Sequence, residues 1–157
     1  MNELQKGYMR RAIELSKDSV ANGGGPFGAV IVKDGKIIAE SSNSVTTDND
    51  PTAHAEVNTI RKACKALNSF ELVGCEIYSS CEPCPMCLGA IYWSRLDELY
   101  FANTKKDAAD IGFDDSFIYD ELNVSVENRR VKTSQFMREE AIVAFQNWQE
   151  KVDKTEY

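Results

Sequence analysis

His54-Ala55-Glu56 and, further along the chain, Pro83-Cys84-Pro85-Met86-Cys87 supply one imidazole, two thiols at Cys-x-x-Cys spacing and one carboxylate. Imidazole and thiolate are the ordinary ligands of zinc. A structural zinc is normally closed by four protein ligands, whereas a site with three leaves a corner for water, whose pKa the metal lowers to about 7. His54, Cys84 and Cys87 provide three ligands, and Glu56 is left over as the proton carrier. A bare Cys-x-x-Cys also reads as a redox pair, and a lone histidine as a core or surface residue. Here the single histidine of 157 residues stands two positions before that glutamate, which favours the metal. Cys81 would close the site if it were a fourth ligand, but it precedes the helix that carries the other two. Cys64 and Cys75 read as small core residues.

Residues two apart in mid-helix point roughly 200° away from each other. His54 and Glu56 can serve one site only from the first turn, where side chains tilt toward the helix N-terminus and converge beyond its end. Cys84 and Cys87, at the start of a later helix, meet the same condition, so two helix N-termini aim at one metal. Their unpaired amides and positive dipole ends favour thiolates. The H-x-E…P-C-x-x-C pattern is the signature of zinc-dependent nucleobase deaminases, in which hydroxide adds to an amidine-like carbon and ammonia leaves.

The elements around these residues are legible from periodicity. A helix over about Glu3 to Val20 ends at Gly23-Gly24-Gly25-Pro26. Phe27 to Val32 and Lys36 to Glu40 flank Asp34-Gly35 and read as a hairpin. Asp50-Pro51 looks like an N-cap with proline at the first helical position, opening a helix through about Leu67. A strand over Glu76 to Ser80, a helix over Cys84 to Ser94 and a strand over Glu98 to Ala102 follow. Helical turns come next at Lys106 to Ile111 and Asp115 to Leu122, with a further strand at Val131 to Gln135 and a helix over Glu139 to Val152. Helices alternating with strands imply crossovers and a sheet covered on both faces. The expectation is one α/β domain over 1–157.

Composition narrows the chemistry. With 43% hydrophobic residues the chain can build a core without disulfides. An odd count of five cysteines and no apolar N-terminal run favour a reducing cytoplasm. No stretch reaches the ~20 apolar residues of a membrane span. A net charge of -7 disfavours a polyanion such as tRNA or DNA and favours a small neutral substrate.

Gly24-Gly25-Pro26-Phe27-Gly28-Ala29-Val30, Asp50-Pro51-Thr52-Ala53-His54-Ala55-Glu56, Ser80-Cys81-Glu82-Pro83-Cys84-Pro85-Met86-Cys87, Gly112-Phe113-Asp114-Asp115-Ser116-Phe117 and the terminal Glu156-Tyr157 together resemble the small bacterial guanine deaminases. The resemblance implies a cytidine deaminase-like fold, a three-layer α/β/α sandwich with a mixed central sheet, and one zinc per subunit. It implies hydrolysis of guanine to xanthine and ammonia. It places Phe27 and Trp93 on either side of the purine plane, Asn43 and the Ala55 amide on its polar edge, and Asp115 facing the reacting amidine beside Glu56. It also implies a homodimer that exchanges the C-terminal segment, about 139–157, so that Tyr157 closes the partner's pocket. Two alternatives stay open: another zinc deaminase acting on cytosine, cytidine, a triazine or tRNA adenosine, and a noncatalytic zinc-stabilised binding module.

Overall fold

Asp34 and Gly35 both adopt left-handed backbone, with φ of 50° and 73°. That is the two-residue turn whose twist matches a right-handed hairpin. In the computed structural model, which describes residues 1–157, this turn joins β1 (Gly28–Lys33) to β2 (Lys36–Ser42) in antiparallel register. Before them runs α1 (Glu3–Ala21), started by a capping box between Asn2 and Gln5. After them come α2 (Val45–Asp48), α3 (Ala55–Leu67), β3 (Cys75–Cys81), α4 (Pro85–Trp93), β4 (Glu98–Asn103) and α5 (Lys105–Asp110). The chain continues through α6 (Ser116–Asn123), a 3-10 turn at Val126–Asn128 and α7 (Arg138–Glu150). It divides into two compact units, Met1–Asp115 and Ser116–Tyr157.

The first unit is built on one open sheet in the order β2-β1-β3-β4. β1 and β3 are antiparallel, and β3 and β4 are parallel because α4 crosses between them. Strand alternation sorts the core into two layers. Ile31, Cys75 and Ile77 face one way and pack with Ala63 of α3 and Ile91 of α4. Val30, Val32 and Tyr78 face the other way, against Met9 and Ala12 of α1. The unit is therefore the α/β/α sandwich with a mixed sheet that the sequence implied.

α1 lies so close to the start of β1 that a Cβ added at Gly28 would meet Ala12 O at 2.4 Å and Ser16 N at 2.7 Å. Gly28→Ala should therefore destabilise the fold by about 2 to 3 kcal/mol through overpacking. The midpoint of urea unfolding reads this directly, and an unchanged midpoint would contradict the close approach.

In the second unit Arg130 lies over the Phe117 ring at 5.9 Å, and its backbone N–H donates to Glu121 at 2.9 Å. No residue of 116–157 is buried. The strand expected at Val131 to Gln135 does not form. Those residues are all exposed, Val131 at 76%, and no sheet pairing includes them.

Two local readings are also corrected. Asp50 does not cap a helix opening at Pro51: its Oδ1 accepts from the Thr52 N–H at 2.8 Å and the Thr52 hydroxyl at 2.7 Å, closing a local turn. The helix starts later, at Ala55, with His54 in the N-cap position. The single turn α2 was not foreseen, being a Val-Thr-Thr-Asp run of weak helix formers.

Candidate active site

The topology decides where the site lies. Glu56 in the first turn of α3 meets Ser79 near the C-terminal end of β3, so the N-terminus of α3 sits at that end of the strand, after which α4 begins. His54 is the N-cap of α3 and Cys84 the N-cap of α4, followed by Pro85 at the first helical position. Both caps have extended backbone, with ψ of 155° and 168°, and neither side chain caps its own helix. Each is thereby free to project beyond the helix end. Cys87 and Glu56 come from the first turns.

One ligand atom each from His54, Cys84 and Cys87 lies within 4.8 Å of the others. His54 Nδ1 is 3.6 Å from Cys84 Sγ and 3.5 Å from Cys87 Sγ. A tetrahedral zinc at about 2.3 Å from sulfur and about 2.0 Å from nitrogen puts such atoms roughly 3.5 Å apart. The donor set and its spacing fit zinc. Cys81 stays outside the group, with its thiol on the Thr104 carbonyl at 3.6 Å, and burial pushes it up to about 11. This leaves three protein ligands.

The electrostatics follow from these contacts. Cys84 is lowered to about 4, first by its hydrogen bond with Cys87 and then by His54, so it is the thiolate of the group. Cys87 is raised, chiefly by sharing its proton with Cys84. His54 is raised above its ordinary value by the hydrogen bond with Cys84. Glu56 is 5% exposed, and burial drives it upward against the opposing bonds from Ser79 and Cys87. Its Oε1 accepts from Ser79 Oγ at 2.9 Å, and its Oε2 lies 3.4 Å from Cys87 Sγ. A buried carboxyl biased toward holding a proton, beside a metal group, suits proton transfer.

The remaining residues are placed as follows. Ala55 is fully buried, and as the first residue of α3 its N–H has no carbonyl within the helix to bond. Asn43 follows β2, and its Oδ1 accepts from the Val45 N–H at 3.2 Å, which leaves its amide N–H2 to donate. Phe27 is half-buried, with its ring held edge-on by Phe113 at 5.0 Å and 89°. Asp115 is half-buried and raised first by burial and then by the charge of Cys84, which brings it within the field of the metal group. A cavity of about 200 Å³ borders Asn43 from the side of Leu15, Asp18 and Ser19 and contains none of His54, Glu56, Cys84 or Cys87.

Trp93 stands at the opposite end of α4 from Cys84. It ends α4, nine positions after Cys84, or about 13 Å along the helix axis. It is 64% exposed, with the Arg95 guanidinium 5.8 Å from its ring. Tyr157 belongs to the second unit and is 73% exposed. Sequence reasoning missed Ser79. The signal was a hydroxyl at a strand position where Cys75 and Ile77 predict an apolar side chain.

Comparison with known proteins bears on this geometry. The family model of the cytidine and deoxycytidylate deaminase zinc-binding region matches residues 2–103. A guanine deaminase of Bacillus subtilis (strain 168) is 54% identical over 151 residues, covering 96% of this chain and 97% of that protein. An X-ray structure of guanine deaminase from Bacillus subtilis superposes with a TM-score of 0.95 at 53% identity, covering 100% of this chain and 99% of the other. A tRNA-specific adenosine deaminase of Aquifex aeolicus (strain VF5) is 37% identical over 134 residues, covering 85% of this chain and 86% of that protein.

Proposed function

The chain belongs to the cytidine and deoxycytidylate deaminase zinc-binding family, and from that premise we propose that it hydrolyses guanine to xanthine and ammonia with one zinc per subunit. The observation that carries the reading is a buried Glu56 whose Oε2 stands 3.4 Å from Cys87 Sγ, at the edge of a three-ligand group built for zinc. His54, Cys84 and Cys87 would hold the metal, which when bound supplies a Lewis acid that activates water at neutral pH. Glu56 accepts a proton from the attacking water. It returns that proton to the ring nitrogen beside the reacting carbon, then carries the hydroxyl proton of the adduct to the amino group, which leaves as ammonia as the C–N bond breaks and the carbonyl forms. Phe27 offers an aromatic face, Asn43 and the Ala55 N–H hold the polar edge, and Asp115 pairs with N–H groups that guanine presents and adenine does not in the same arrangement.

The test is ammonia release across guanine, adenine, cytosine, cytidine and ammeline, with and without chelator. Guanine is expected to lead and to depend on metal. Preference for another base, or for tRNA adenosine, would overturn the assignment; the net charge of -7 argues against the polyanion.

The protein works, on this reading, as a cytoplasmic homodimer that exchanges its C-terminal segment, about 139–157, with Trp93 and Tyr157 completing the aromatic enclosure of the purine. No helix is long and apolar enough to cross a membrane. Support for the exchange comes from the second unit, which buries no residue of its own and exposes Phe136 at 79%, Phe145 at 74% and Tyr157 at 73%. Apolar surface of that kind calls for a covering partner. Deleting Glu156-Tyr157 should lower kcat/KM for guanine by about tenfold or more. The melting temperature should stay within about 2 °C. Equal activity in the truncated protein, or a monomer at assay concentration by sedimentation velocity, would remove the exchange.

A further inference from the structure

Ser79 has a task that the zinc motif does not announce. It lies in β3, paired with Ala29 of β1 and Phe101 of β4, and is 1% exposed. By strand alternation it shares a face with Cys75 and Ile77, the apolar layer under α3 and α4. A hydroxyl there needs partners. Its single proton goes to Glu56 Oε1 at 2.9 Å, across the gap from sheet to helix, while its oxygen accepts the Cys81 N–H at 3.5 Å. The terminal torsion of a glutamate is soft, with no sharp staggered wells. Left alone, a carboxylate turns about that bond and exchanges its two oxygens. A hydrogen bond on Oε1 stops the rotation and leaves Oε2 as the oxygen turned to the cysteines.

We propose that Ser79 is a positioning residue for the deamination: it locks the Glu56 carboxyl so that one defined oxygen accepts and returns the proton. The inference rests on the functional reading above and adds to it a residue outside the ligand motif. A hydroxyl that only fills space in the core would bond within its own turn. This one reaches a residue 23 positions away, and that residue carries the proton. Removing the hydroxyl leaves Glu56 present but unanchored, so turnover suffers more than binding.

The experiment compares wild type, Ser79→Ala and Ser79→Thr, each purified with zinc and assayed on guanine, with zinc content and melting temperature measured alongside. Ser79→Ala should lose about 10- to 100-fold in kcat with KM within about threefold, at full zinc occupancy. Ser79→Thr, which keeps the hydroxyl, should recover kcat to within about fivefold of wild type. Ser79→Ala with wild-type kcat would overturn the positioning role, as would a loss that tracks missing zinc or a fall in melting temperature. A folded, zinc-loaded Ser79→Thr as slow as Ser79→Ala would do the same. Wild-type protein inert toward guanine would instead bring down the functional reading, so the two failures are told apart.

Discussion

Glu56→Gln should lower kcat on guanine by about a thousandfold, the span a positioned proton carrier contributes, while zinc stays bound. The amide is nearly isosteric, and its oxygen can still accept from Ser79 Oγ, so the side chain keeps its place. What it loses is the capacity to take a proton from water. The substitution should not cost stability. Burial raises Glu56, so its ionised form costs more in the folded protein than in the unfolded chain. A raised acid contributes stability below its ordinary value of 4.5 and loses it as pH climbs through the shifted one. A neutral amide avoids that loss, and Glu56→Gln should melt at or above wild type near pH 7. Steady-state kinetics with metal analysis decides the matter. More than a tenth of wild-type kcat remaining would point to another proton carrier. Asp115→Asn is the informative companion, because Asp115 is the other carboxyl raised by the charge of Cys84. A larger loss there than at Glu56 would reverse the two roles.

The parts of the chain that could be read in advance are those where local chemistry and tertiary structure agree. Asp34-Gly35 demanded a tight hairpin and formed one, and helices alternating with strands already implied a sheet covered on both faces. The metal group was legible as a motif, and its convergence at two helix N-termini followed from the tilt of first-turn side chains. The misread start of α3 is a competition between two local signals. Asp50 is a good cap in general, but Thr52 two positions on gave it nearer partners, and the helix began at a histidine, which propensity does not favour as a cap. Val131 to Gln135 failed as a strand because β propensity needs a neighbouring strand or a covering layer to act. Ser79 broke the apolar alternation of Cys75 and Ile77, but what its hydroxyl serves lies in Glu56, which only the fold places opposite it.

Zinc binding should weaken steeply as pH falls, and the slope counts the protons that the ligands hold without metal. Cys84, lowered to about 4, is already a thiolate at neutral pH and releases none. Cys87 is raised far enough to be a thiol and must give up one proton to ligate. His54, raised above 6.5 by Cys84, is partly imidazolium near neutrality and gives up a fraction of another. Binding near pH 7 should therefore release between one and two protons. The affinity should fall by more than about tenfold for each pH unit downward. Calorimetry in buffers of different ionisation enthalpy measures that number. Chelation should reduce guanine turnover to background, with recovery on zinc and none on magnesium, because two sulfur ligands exclude a hard cation. Cys87→Ala should hold zinc far more weakly, having lost one of the two sulfur ligands. An affinity flat in pH, or magnesium restoring turnover, would show that these sulfurs do not hold the metal that matters, and the chemistry assigned to Glu56 would lose its setting.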